Sequence, residues 1–167
     1  GTRERLCLLA EQDYRDFAAA LIPGEEKMLG IRLPILREIA KELARGNWQE
    51  ELEAEDVYFE ETMLRGMVIG YATLRTEPVP AFSYIRDFIP LVHNWSVCDS
   101  VFMKMDILKK DKDLTWEFLL PYMDSGREFE VRVALIIMMA HLLRVDGSGR
   151  KISRLRNVTL SDLEEIG

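Results

Sequence analysis

The stretch HNWSVCDSVFMKM places Trp95 and Asp99 four residues apart. At about 100° per helical residue, that spacing sets an indole and a carboxylate one above the other on one helix. Val97, Val101, Met105 and Leu108 form a tight apolar stripe, the face this helix is expected to bury. Trp95 lies well round from that stripe, with Phe102 between, and Asp99 lies further round with Asp106. Asn94 reads as the N-cap, so the pair falls near the start of the helix.

An aromatic face beside a carboxylate is a cation site. The ring quadrupole attracts positive charge and the carboxylate adds Coulomb attraction. A purine alkylated at N3 or N7 is one flat cation that such a site fits. Its glycosidic bond is weakened by the charge, and cleavage passes through an oxocarbenium-like sugar that a nearby carboxylate stabilises. The plainer alternative stays open: Trp95 packs at the core boundary, and Asp99 favours the helix dipole.

Arg132 interrupts the apolar run FEVRVALIIMM. Two readings fit it, a bidentate contact to a DNA phosphate or an ion pair with Glu128 one turn earlier. No other catalytic constellation stands out. His93 and His141 have no partner at metal-ligand spacing, and there is no Gly-rich phosphate loop or nucleophile elbow. Cys98 reads as a small core residue, and Trp48 and Trp116 as packing between helices.

The elements that must position these residues are helices. An amphipathic segment runs from about Arg3 to Leu21, then the loop IPGEEKMLGIRLP. Pro34 suits the first turn of the next helix, whose Leu33, Leu36, Ile39, Ala40 and Leu43 recur at three-to-four spacing and which ends in Arg45 and Gly46. A further helix is expected from Asp56 to Leu74, with Gly66 and Gly70 on one face, either admitting a close neighbour or merely tolerated. After the break TEPVP, helical pattern resumes through AFSYIRDFIPLV, NWSVCDSVFMKMDIL, LTWEFLLPYM and EFEVRVALIIMMAHLL, the last apolar nearly all round. Segments starting near Asp56, Asn94 and Glu128 recur at a spacing that suggests stacked helical pairs, an α-solenoid of HEAT-like units; a plain helical bundle is the alternative.

Composition sets the frame. The 167 residues are 48% hydrophobic and 31% charged, a folded-domain balance. The longest apolar run, Val133 to Ala140, is too short to span a bilayer. With no leader pattern at the start and two isolated cysteines, a cytoplasmic setting is expected, without a membrane partner. The formal charge of −7 argues against nucleic acid, but its distribution matters more. Seven acidic residues and no basic one lie between Glu50 and Glu61, whereas Lys104, Lys109, Lys110 and Lys112 cluster, as do Arg144, Arg150, Lys151, Arg154 and Arg156.

The segments LGIRLPILREIAKEL, YFEETMLRGMVIGYA, NWSVCDS, WEFLLPYM and EFEVRVAL, in this order and spacing over residues 10–143, resemble the bacterial DNA alkylation repair proteins, the AlkD-like alkylpurine DNA glycosylases. The resemblance implies an α-solenoid whose concave face takes duplex DNA. It implies removal of N3- and N7-alkylated purines without metal or cofactor, and without flipping the base into a pocket as most glycosylases do. Carried over by position, Trp95 is an aromatic wall beside the lesion, Asp99 the catalytic carboxylate, and Arg132 an arginine near the DNA backbone. GIRLP matches a family loop without an assigned role. A member of this type is expected to continue past Leu143 with two more helical pairs and a second Trp. Here the chain reads RVDGSGRKISRLRNVTLSDLEEIG instead.

The expectation is therefore an all-α protein: a HEAT-like repair domain over residues 1–143 and an atypical basic tail with a short helix over 144–167. It acts as a monomer on duplex DNA carrying alkylated purines. The competing reading is a non-catalytic helical-repeat module that binds DNA or a protein.

Overall fold

A computed structural model describes residues 1–143, all of whose regular structure is helical. The expected tail helix lies outside the described residues. The helices are α1 (Thr2–Leu8), α2 (Gln12–Leu21), α3 (Leu33–Ala44), α4 (Trp48–Glu51), α5 (Phe59–Ala72), α6 (Pro78–Phe88), α7 (Trp95–Phe102), α8 (Lys112–Met123) and α9 (Glu128–Ile137). Helices α3, α5, α7 and α9 touch in that order, while α6 packs on α5 and α8 on α9. A row of alternate helices backed by their partners is the neighbour order of stacked helix pairs.

Several boundaries differ from expectation for identifiable reasons. The N-terminal segment is two helices, because the chain breaks at Leu9–Glu11, where the Glu11 N–H donates to the Gly30 carbonyl at 2.8 Å. The expected Asp56 start moves to Phe59. Residues 52–56 are held off the helix by Arg65, which bonds Asp56 at 2.9 Å and the Leu52 carbonyl at 2.7 Å. Helix α7 ends at Phe102, so the tight stripe is not a single helical face: Met105 and Leu108 are buried from a loop and a following 3₁₀ turn. Helix α9 passes into a π turn at Met138–Leu142, and Met139 points to solvent at 58% exposure, so this segment is not buried all round. Pro34 does open α3, and Gly46 follows that helix without entering the left-handed region.

The core runs through the row. Phe88 and Phe102 are fully buried with ring centroids 5.9 Å apart, each burial contributing about 1.5–3 kcal/mol. Gly66 is where this packing is tightest. A Cβ there would stand 2.6 Å from the Phe88 ring and 2.7 Å from a Val101 methyl, whereas at Gly70 the nearest atom is Met105 Cγ at 3.7 Å. Gly66 admits side chains of α6 and α7, and Gly70 is merely accommodated. Gly66→Ala is expected to cost about 1–3 kcal/mol by overpacking, and Gly70→Ala to stabilise by about 0.5–1 kcal/mol through helix propensity. Urea denaturation midpoints moving in opposite directions would bear this out; parallel shifts would refute it.

The loop GIRLP is a structural knot. Glu60, only 1% exposed, accepts N–H groups from Leu29 at 2.8 Å and Gly30 at 3.0 Å. Arg32 bonds Glu11 at 3.2 Å and lies over the Tyr14 ring. A buried carboxylate with a backbone donor on each oxygen avoids the cost of an unpaired charge.

Candidate active site

Asn94 caps α7 as its sequence position suggests, its side-chain oxygen accepting the Val97 N–H at 2.9 Å. This fixes the first turn, from which Trp95 projects. Trp95 is 41% exposed, and its indole Nε1 donates to the Leu21 carbonyl at the end of α2, at 3.1 Å. The indole edge is thus tethered while much of the residue faces solvent. One turn on, Asp99 is half-buried at the edge of the core face, beside fully buried Cys98 and Phe102.

Arg132 reaches Asp99 from α9. Its Nε donates to Oδ1 at 2.9 Å and its Nη2 to Oδ2 at 2.8 Å, a bidentate clasp. The hydrogen bonds it donates to Asp99 hold the Arg132 guanidinium above its ordinary pKa. The pair joins the two helices carrying the candidate residues. Of the two partners considered for Arg132 from its position, Glu128 acts on it through charge, behind Asp99, and the phosphate reading concerns a molecule outside the chain. The clasp leaves Nη1 unused by Asp99, and each carboxylate oxygen retains a further acceptor site.

Burial, reinforced by the Asp99 charge, pushes the Cys98 thiol up to about 12. At pH 8 it is a protonated, sequestered thiol, whereas Cys7 is exposed. A thiol-exchange reagent should titrate one cysteine in the native protein and two after denaturation; two in the native state would contradict the placement.

One cation that the sequence does not single out, Arg37, reaches α7 close to Asp99, and Lys104 of the expected Lys cluster lies beside it. Arg37 of α3 donates to the Ser100 carbonyl at 3.0 Å, next to Asp99. Arg37, Tyr71 and Lys104 line one small surface pocket over Gly66 and Gly70. The signal was available, since Arg37 lies off the apolar stripe of α3. Within the expected Lys cluster, by contrast, Lys110 bonds the Leu74 carbonyl and Lys109 pairs with Asp106 at 3.2 Å. The acidic run is largely engaged in the fold: Glu51 accepts from Thr2, Asp56 from Arg65, Glu60 from the loop knot and Glu61 from Arg3. Trp48 packs edge-on against Tyr84, with centroids 4.8 Å apart, and Trp116 lies against the core.

These features define an all-helical protein: a row of paired helices with an indole, a carboxylate and an arginine carried on adjacent members of the row. A family model for the DNA alkylation repair enzymes matches residues 2–164, and the chain belongs to that family. The match runs past Leu143, where the resembling segments end. No curated protein and no solved structure gives a significant match. Among the described residues no helix is long and apolar enough to cross a membrane.

Proposed function

We propose that this protein is a DNA glycosylase that hydrolyses the N-glycosidic bond of N3- and N7-alkylated purines in duplex DNA, acting as a monomer in the cytoplasm. The observation that carries this reading is the half-exposed Trp95 one helical turn from Asp99, with Arg132 clasping the carboxylate from the neighbouring helix.

The chemistry needs little from the protein. When the C1′–N bond breaks, its electron pair moves onto the purine, which leaves as a neutral base, and positive charge develops on the sugar. The Asp99 carboxylate stabilises that charge and orients the water that attacks C1′, whose proton passes to the carboxylate or to solvent. Trp95 lies against the deoxyribose or the base, where its ring favours the cation. Arg132 has donors left for a phosphate through Nη1, and Arg37 and Lys104, which line a pocket beside α7, add positive charge close by. In this reading the helix row curves as a HEAT-like solenoid around the duplex.

The test is release of free base from duplex DNA carrying N7-methylguanine, followed by chromatography. Release of 7-methylguanine, with unmodified guanine retained, is the expected result. Salt-dependent DNA binding with no release would replace the enzyme by a DNA-binding module. No binding at low salt would leave a protein scaffold.

A further inference from the structure

The indole that faces the proposed lesion is not held by α7 alone. Three contacts tie the beginning of α7 to a single turn after α2. Trp95 Nε1 donates to the Leu21 carbonyl at 3.1 Å. Asn94 Nδ2 donates to Glu25 Oε2 at 3.3 Å. The ring Nε2 of His93 lies 3.2 Å from the same Glu25 oxygen. The turn closes on itself through a Glu25 N–H to Ile22 carbonyl bond at 3.3 Å, with Gly24 at φ +89°. Glu25 is an acidic side chain only 14% exposed in a loop otherwise rich in solvent-facing residues.

The contacts act on Trp95 from two directions. Asn94 spends its oxygen on the Val97 N–H and its amide nitrogen on Glu25, so the carboxylate fixes the orientation of the cap. The cap sets the backbone at the residue preceding Trp95. The carbonyl at the other end of the same turn takes the indole N–H. Backbone and ring edge are therefore referred to one short piece of chain. A small error in that piece becomes an error in where the ring stands relative to Asp99.

We propose that Glu25 is a positioning residue for Trp95, and that the Leu21–Glu25 turn is the element that sets the aromatic wall of the site. This rests on the excision reading above for its effect on rate, but its structural content stands apart from it. Glu25 touches neither base nor sugar in this account; it acts through Asn94 and through the turn that presents the Leu21 carbonyl.

The experiment uses the full chain labelled with 5-fluorotryptophan, whose three ¹⁹F resonances are assigned by single substitutions. Glu25→Ala is expected to shift or broaden the Trp95 resonance and leave those of Trp48 and Trp116 in place. On N7-methylguanine duplex, kcat should fall about 10-fold, as expected for a misplaced group, with KM changed by less than about twofold. Glu25→Gln keeps an acceptor toward Asn94 and should recover much of both readouts. Gly24→Ala strains the turn without touching Trp95 and should move the same resonance. An unchanged Trp95 resonance in Glu25→Ala would overturn the proposal, as would a displaced resonance with unchanged kcat in an active enzyme. If the unsubstituted protein releases no base, the excision reading falls, and the ¹⁹F spectra alone decide whether Glu25 positions Trp95.

Discussion

Asp99→Asn should lower the single-turnover rate of 7-methylguanine excision by about 10²- to 10³-fold, the range found when one preorganised electrostatic stabiliser is removed. The substitution keeps the volume and one acceptor oxygen while deleting the charge that opposes the developing oxocarbenium. It also leaves Arg132 facing a neutral partner. Because the Arg132 side chain is 41% exposed, solvent can rehydrate it, and stability should change by no more than about 1 kcal/mol. Rate and fold are therefore separable in one variant: thermal unfolding should nearly superimpose on the parent while excision collapses. The salt dependence of binding should keep its slope, since that slope counts phosphate contacts and Asp99 makes none in this reading. An unchanged excision rate would sink the catalytic assignment. A lost rate accompanied by a large drop in melting temperature would make the clasp a structural tie between α7 and α9 first.

The sequence carried the local facts well. Asn94 as a cap, Pro34 at a helix start, Cys98 as core and Trp95 at the edge of the buried face all follow from periodicity and capping chemistry within a turn or two of chain. Contacts between distant segments were not legible that way. Arg132 and Asp99 are 33 positions apart, and only the packing of α9 against α7 brings guanidinium to carboxylate. Arg37 stands off the apolar stripe of α3, but its partner, the Ser100 carbonyl, is reached only across the packing of α3 near α7. The acidic run from Glu50 to Glu61 holds seven of the residues behind the net charge of −7. Four of its seven members, Glu51, Asp56, Glu60 and Glu61, are bound to Thr2, Arg65, the Leu29–Gly30 amides and Arg3, partners that net charge cannot reveal. Helix ends differ from the periodic pattern where tertiary hydrogen bonds draw residues out of it, as Arg65 does to residues 52–56.

Gly30→Ala should be the most damaging single-methyl change in the described chain. Gly30 has φ +88°, a conformation that costs an L side chain about 1–3 kcal/mol. The space is also filled: a Cβ would stand 2.4 Å from the Glu11 carbonyl oxygen and 2.6 Å from Arg15 Cβ. Neither can yield cheaply, because Glu11 is fixed by its N–H bond to the Gly30 carbonyl and Arg15 Cβ is anchored to α2. Overpacking adds about 1–3 kcal/mol, so the total is roughly 2–6 kcal/mol, a large part of the stability of an ordinary domain. Gly126→Ala is the control. It has φ +71° with nothing within 4 Å of an added Cβ, so only the conformational strain applies. Urea unfolding of the two variants should give a clearly lower midpoint for Gly30→Ala than for Gly126→Ala. Equal midpoints would mean that α2 can move away from the loop, and the knot that Glu60 ties there would be looser than its two short amide bonds suggest.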